Sequence, residues 1–142
     1  MKELFLTLRE LLKAVPDLQF IDKDKGQIDR YETRPPVAFP CCLIKISNTP
    51  IEYLHSTLQR RTAIITLRLA FNYVGSTNAD TPENLLIQSL EYFDTVEKVE
   101  QAILPNYYKN HRFTQTASIE ENRPDGLTVI NLQFRVQYEK NI

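Results

Sequence analysis

The chain has 142 residues, of which 42% are hydrophobic and 25% charged, an ordinary composition for a globular domain. The formal net charge of −1 gives no general attraction to nucleic acid or anionic membranes. Three isolated glycines cannot build a dinucleotide fingerprint or a phosphate-binding loop, and two cysteines are too few for a disulfide framework. With no signal peptide and no long apolar run, the sequence predicts a soluble intracellular protein with one domain over residues 1–142.

The N-terminal segment is predicted to form an amphipathic helix over residues 3–15. Leucines recur there at intervals of three and four residues, which places them on one helical face, and Pro16 ends the pattern. Residues 18–34 are mostly polar, and we interpret them as a short hairpin around Gly26. The helix therefore offers one apolar face to the rest of the fold.

Two long strands are predicted next. Residues 61–73 alternate strictly between apolar and polar side chains, which is typical of a strand with one buried face. Residues 37–47 are predicted to form its partner strand. Residues 48–60 are then an unusually long connection within a hairpin. Four residues of this connection are larger and more apolar than a solvated loop needs: Ile51, Tyr53, Leu54 and Leu58.

The second half of the chain repeats the order helix, strand, strand. A helix is predicted to begin with the capping-box spacing of Asp80 and Glu83 and to continue to about Leu104. Alternating segments at 113–121 and 127–139, separated by a turn, predict a second hairpin. The order α-β-β-α-β-β predicts an α+β fold, with a mainly antiparallel sheet of four to five strands and two helices packed on one face. The predicted inner face of the second helix consists of Leu86, Leu90, Phe93, Val96 and Ile103.

The adjacent cysteines Cys41 and Cys42 are the first candidates for chemistry. Neighbouring residues of a strand point to opposite faces, so the two thiols diverge and are poorly placed to chelate one ion. We interpret both as packing residues, with Cys42 buried against the helices and Cys41 less protected. The two histidines, His55 and His111, are placed in loops with no recurring ligand spacing. No metal site and no cofactor is therefore predicted.

The remaining polar residues form no catalytic pattern, so no catalytic residue is predicted. No serine has the flanking glycines of a nucleophile elbow, and no pair of acidic residues faces inward. Basic residues gather on the first hairpin, where a solvated or partner-binding surface is favoured over a phosphate site. Long strands, one uncovered sheet face and an apolar connection all favour association with further copies. The predicted subunit interface consists of Ile51, Tyr53, Leu54, Leu58, Arg60, Arg61 and Arg68.

Four segments follow the N-terminal helix in order: "RPPVAFPCCLIKIS", "RRTAIITLRLAFNY", "NLLIQSLEYFDTVEKVEQAIL" and "FTQTASIEENRPDGLTVINLQFRVQYE". Over nearly the whole chain, their order and lengths resemble the tail-terminator and tail-completion proteins of long-tailed phages and prophages. The resemblance implies a non-enzymatic subunit of a ring, usually a hexamer, that caps the tail tube and offers the surface to which the head connects. Its implied partners are other copies, the tail tube and head–tail connector proteins, with assembly in the host cytoplasm and a final place in the tail or neck of the virion.

Two other interpretations of the sequence stay open. The chain could be another neck or head–tail connector component, which would differ in its binding partner. It could instead be a small α+β enzyme or ligand-binding domain with a pocket over the sheet. A bound metabolite or a deep polar cleft would favour that second alternative. An isolated copy is not expected to bind duplex DNA, because its near-zero charge gives little drive from counterion release.

Overall fold

The computed structural model of the chain describes residues 1–142. Five strands form one sheet, and two very short strands pair with each other. The elements in chain order are α1 (Lys2–Lys13), β1 (Phe20–Lys23), β2 (Cys41–His55), β3 (Leu58–Phe71), α2 (Glu83–Ser89), α3 (Tyr92–Ile103), β4 (Tyr107–Tyr108), β5 (His111–Arg112), β6 (Thr114–Glu120) and β7 (Thr128–Asn141). The order across the sheet is β1-β2-β3-β7-β6, and only β1 and β2 are parallel. The predicted α+β class and the mainly antiparallel sheet are confirmed.

One face of the sheet packs against α1 and α3 and forms the main core. Strands β3 and β7 alternate as predicted, so buried side chains meet across the ladder, as with Leu67 opposite Leu132 and Ile65 opposite Phe134. From the helices, the core receives Leu4, Leu8, Leu12, Val96, Val99 and Ile103. Burying each such side chain stabilises the fold by about 1.5–3 kcal/mol relative to leaving it exposed.

The opposite face of the sheet is covered at one end by side chains from the segment 24–40. Ile28 is fully buried in a second apolar cluster with Leu43, Ala70 and Val129. The prediction of an uncovered face is therefore wrong at this end. Ile28 is a single large apolar residue among polar neighbours, so the sequence has no periodic pattern that predicts its burial. Its burial depends on polar contacts made by the residues around it.

The predicted hairpin around Gly26 is also wrong. Strand β1 pairs in parallel with the beginning of β2, from Phe20 opposite Cys41 to Lys23 opposite Ile44. Gly26 instead begins a tight turn, in which its carbonyl oxygen accepts hydrogen bonds from two backbone N–H groups three and four residues later. Its positive φ of 81° suits a glycine.

Cys41 and Cys42 lie on opposite faces of the sheet, as predicted. Cys42 belongs to the main core and Cys41 to the cluster around Ile28. Both are fully buried, so the prediction that Cys41 is less protected is wrong, because Ile28 and its neighbours cover it. Burial raises the pKa of Cys41 to about 11 and also raises that of Cys42. Both thiols therefore stay protonated and poorly nucleophilic at neutral pH.

The largest departure from the sequence prediction lies at residues 48–60. There is no long connection: β2 continues to His55, and β3 begins at Leu58. Strand β7 runs beside β3 as far as Asn141, which lies opposite Leu58. The three strands thus extend together, and we call residues 48–63 with 136–141 the arm. The prediction failed because a bulge between Asn48 and Ile51, which contains Pro50, breaks the alternation of the strand.

The single helix predicted to end near Leu104 is two helices. The first ends at Ser89 and the second begins at Tyr92, with no proline or glycine at the break. Because the break redirects the chain, Leu90 and Phe93 of the predicted inner face are exposed, whereas Val96 and Ile103 are buried.

Helix α2 is packed against a loop that contains Gly75. Gly75 has a φ of +107°, and a Cβ added there would collide with Ser89 Oγ. The Ser89 hydroxyl is part of the structure of α2, since it donates a hydrogen bond to the carbonyl oxygen of Leu85 at 2.9 Å. A side chain at Gly75 must therefore displace Ser89 and loosen α2.

We expect Gly75→Ala to lower the free energy of unfolding by about 1 kcal/mol more than Gly126→Ala does, as measured by urea unfolding. Gly126 also has a positive φ, of 78°, but nothing lies within 4 Å of a Cβ added there. Gly126→Ala, the control, therefore loses only the stability that a non-glycine residue loses at a positive φ. Gly75→Ala also breaks the hydrogen bond from Ser89 to Leu85. Equal losses for the two variants would contradict the importance of the contact with Ser89.

Candidate functional site

The arm presents exposed apolar side chains at one end of the sheet. Ile51, Tyr53 and Leu54 are 44%, 67% and 41% exposed. Ile51 lies opposite Arg61, and Tyr53 lies opposite Gln59. Arg61 is two residues before Ala63 and four before Ile65, which both belong to the main core, so its side chain lies on the same face of β3. This row of the arm therefore lies on the side of the sheet that carries the helices.

The same side of the arm is basic. Arg61 donates a hydrogen bond to the side-chain oxygen of Gln59 at 2.9 Å and has no carboxylate partner. Lys140, on β7, lies opposite Gln59 and thus on the same side as Arg61. The arm therefore combines an isoleucine and a tyrosine with two unpaired cations, a combination suited to an acidic and apolar partner surface.

The other predicted interface residues are placed differently. Leu58 and Arg60 belong to the arm, with Leu58 half-buried beside the turn and Arg60 exposed without an ion pair. Arg68 does not: it lies ten residues further along β3 than Leu58, on the opposite face from the main core, and its side chain is 12% exposed. Six of the seven predicted residues thus lie in the arm, and Arg68 is separate from them. The six occupy both faces, since Leu58 and Arg60 point away from the side that carries Arg61.

Arg68 lies in a cluster of charges that we call the charge cluster: Asp24, Asp29, Arg68, Glu121, Arg123 and Asp125. Its guanidinium donates to both carboxylate oxygens of Asp29, at 2.7 and 3.0 Å. It also donates to both carboxylate oxygens of Glu121, at 2.9 and 3.0 Å. Arg68 therefore ties the segment after β1 and the segment after β6 to the central strand of the sheet.

Arg123 completes the charge cluster from the loop between β6 and β7. It forms ion pairs with Glu121 and Asp125 at 2.8 Å and with Asp29 at 3.1 Å. It also donates to the carbonyl oxygen of Ile28, the residue that caps the second apolar cluster. Hydrogen bonds from Arg68 lower the pKa of Asp29 to about 2, and those from Arg123 lower the pKa of Asp125 to about 2. The cluster is thus an electrostatic clamp on segment 24–40.

A second exposed apolar surface lies at the other end of the sheet, on α2 and the start of α3. We call it the α2 patch: Tyr73, Leu85, Ile87, Leu90 and Phe93, which are 76%, 49%, 59%, 36% and 50% exposed. An open groove of about 370 Å³ is lined by Tyr73 and Glu91 among others, and Tyr73 is the one patch residue in its lining. Leu85 and Ile87 are two residues apart in α2 and therefore point about 200° apart around the helix, so these side chains form a run of exposed apolar residues along α2 and the start of α3 rather than a single face.

Acidic side chains predominate in sequence around the α2 patch, and the next cation, Lys98, pairs with Asp17 at 3.1 Å. Between residues 76 and 97 there is no basic residue, and every acidic residue there is exposed: Asp80, Glu83, Glu91, Asp94 and Glu97. Sequence reasoning assigned Leu90 and Phe93 to a buried face and missed the patch. The available signal was the run Leu85, Leu86, Ile87, because three consecutive helical residues cannot all face the core.

The two histidines considered as metal ligands lie in different sheets. His55 lies at the end of β2, where its ring accepts a hydrogen bond from the backbone N–H of Thr57, and His111 lies in β5. No group of three or more His, Cys, Asp or Glu side chains is arranged to hold a metal ion. None of the helices has the length and apolar character needed to cross a bilayer.

Comparison with known proteins finds similarity among solved structures. No family model matches the chain, and no curated protein matches it. Among solved structures, a chain of the virion of a native gene transfer agent particle is similar over 94% of this chain and 84% of that chain. The sequence identity is 11% and the TM-score is 0.43. We therefore base the functional proposal on the surfaces of the chain itself.

Proposed function

We propose that this chain is a structural subunit of a phage or prophage particle that assembles with copies of itself into a ring. We further propose that this ring is the tail-terminator or tail-completion ring, which caps the tail tube and joins it to the head. The observation that carries the proposal is the outer part of the arm, where Ile51, Tyr53 and Leu54 are exposed.

The exposure of the arm favours an intermolecular role. Tyr53 is 67% exposed and Ile51 44%, although both lie on the side of the sheet that is buried further along the same strands. If the arm served to pack on the chain's own core, these side chains would be covered. Tyrosine is also enriched at the energetic centres of protein interfaces. Packing of the arm on a neighbouring copy therefore accounts for its composition better than packing within the chain.

The same surface would serve another neck or head–tail connector component, which is the nearest alternative. The two differ in what the assembled ring binds, the tail tube in one case and a different connector protein in the other. Both require self-association, and both assign the chain a structural role without catalysis.

We expect the purified protein to form a closed oligomer, and a threonine double variant at Ile51 and Tyr53 to weaken that assembly at least tenfold. Threonine keeps the strand propensity of the arm while removing the apolar contacts. Light scattering gives the native mass, and negative-stain images show whether the particle has an axial hole.

The matched control changes Tyr107 and Ile119, which also lie in strands and are 58% and 61% exposed, to threonine. The control should assemble as the parent does. A parent protein that remains monomeric at high concentration, in the absence of other virion proteins, contradicts the proposal of a self-assembling ring. Equal assembly of the arm variant and the control contradicts the role of the arm.

A further inference from the structure

Resting on the proposed self-assembly, we infer that the arm of one copy docks on the α2 patch of the next copy. The arm and the α2 patch are then the two halves of one interface.

The two surfaces match in chemistry. The α2 patch exposes five apolar side chains, and the charged residues between positions 76 and 97 are all acidic. The helix side of the arm offers Ile51 and Tyr53 flanked by Arg61 and Lys140, neither of which has a carboxylate partner of its own. Apolar contact would supply affinity, while the opposite charges at the rim would fix orientation and speed association.

The α2 patch also adjoins a groove. Tyr53 lies near the end of the arm, and Tyr73 of the α2 patch lines an open groove of about 370 Å³. Glu91 lies in the lining of that groove, within the acidic rim. An exposed aromatic side chain next to a cation suits a groove with an acidic edge.

The position of the two surfaces requires that the contact be between copies. The arm lies at the Leu58 end of β3, whereas the α2 patch adjoins Phe71 at the other end, where Phe71 packs on Tyr92 of α3 at 5.5 Å. A strand of this length spans roughly 40 Å. One copy therefore cannot dock its arm on its own patch. A contact between two different surfaces is head-to-tail, and repetition of such a contact yields a ring when the rotation closes.

The test uses two full-length variants, each with one defective surface. The arm variant has threonine at Ile51 and Tyr53. The patch variant is Ile87→Lys, which adds a positive charge at an exposed helical position and keeps a good helix former there. Leu6→Lys is the matched helical control, since Leu6 lies on α1 and is 46% exposed. Far-UV circular dichroism and thermal unfolding establish that each variant is folded.

We expect each defective variant to be monomeric alone at a concentration where the parent assembles, and the Leu6→Lys control to assemble as the parent does. Mixed in equal amounts, the two defective variants should form heterodimers and nothing larger. The intact arm of the patch variant can dock on the intact patch of the arm variant, and the remaining two surfaces are both defective. Native mass spectrometry distinguishes this heterodimer from monomers and from larger particles.

The outcomes separate this inference from the proposed function. If the parent and the patch variant assemble equally, the α2 patch is not the receptor, while the ring proposal stands. If the defective variants are each monomeric but form no heterodimer when mixed, both surfaces matter but they do not meet each other, and the inference is again wrong. If the parent itself is monomeric, the proposed ring and this inference fall together.

Discussion

Replacement of Arg68 by methionine is expected to lower the free energy of unfolding by about 3 kcal/mol. The change leaves Asp24, Asp29 and Glu121 without the cation that joins them, and Arg123 alone cannot satisfy them. Breaking a buried ion pair costs about 3–5 kcal/mol, and we take the lower end because Asp29 is 41% exposed. Methionine keeps the length of the apolar part of the side chain, so the loss reports mainly on charge. Urea unfolding gives the value.

Arg60→Met is the matched control for this change. Arg60 lies on the same strand and the same face of the sheet, but it is exposed and has no ion pair. Its replacement should lower the free energy of unfolding by at most about 0.5 kcal/mol, the usual limit for a surface substitution. A second measurement follows thiol labelling in the native state. Loosening of segment 24–40 should expose Cys41 faster than Cys42, which lies in the other core. Equal stabilities of the Arg68 and Arg60 variants would show that the charge cluster does not hold that segment.

Acidification is expected to destabilise the protein by about 2 kcal/mol through Asp29 and Asp125 alone. Both carboxyls have a folded-state pKa of about 2 against an ordinary value of 3.8. Their depressed pKa values contribute stability that is complete above about pH 5 and is lost as the pH falls from about 5 to about 2. The expected loss of stability is smaller than the two pKa shifts would give in full, because solvent screens the partly exposed Asp29.

Urea unfolding at pH 7, 5, 4 and 3 checks this dependence. The variant Asp125→Asn lacks one of the two titrating groups, so its stability should fall less steeply between pH 5 and pH 3 than that of the parent. Hydrogen bonds from Arg123 to the side-chain oxygen remain possible in the variant, which keeps the loop in place. Identical slopes for the parent and the variant would contradict the assignment of the low pKa to Asp125.

The central strands were predictable from sequence because their burial is periodic. Strand β3 and strand β7 lie in the middle of the sheet, where one face meets the helices along most of their length, so apolar residues recur at every second position. Helix α1 was predictable for the same reason, with its buried leucines at helical spacing. These elements are specified locally by the pattern of their own side chains.

The missed features depend on partners that are distant in sequence. Arg68 reaches Asp29 and Glu121, which are 39 and 53 residues away along the chain, and these contacts bring a polar segment onto the sheet. The outer part of β2 has few buried side chains and is a strand because β3 and β7 support it. The break between α2 and α3 has no proline or glycine to mark it. None of these arrangements leaves a periodic trace in a single sequence.

The candidate surfaces were predictable to different degrees. The arm residues were singled out because large apolar side chains are unexpected in a connection. The connection is a pair of strands, and what now sets these residues apart is their exposure. Arg68 was included only because it is basic and close in sequence to Arg60 and Arg61. The α2 patch was missed because its side chains were counted toward the core. Composition thus identified an unusual segment, whereas assignment of each side chain to a face required the fold.

The bulge with Pro50 has a consequence for how the arm avoids unwanted pairing. Beyond Ile44, β2 has no neighbour on its outer side, and such an edge is a template on which strands of other chains can add and grow into fibrils. Pro50 has no backbone N–H to offer, and the register shifts on both sides of Ile51 and Tyr53 interrupt the remaining row of donors and acceptors. A foreign strand can therefore pair with only a few residues at a time. The arm can therefore be long and apolar at its tip without adding strands of other chains to its open edge. A partner would then recognise it through its side chains.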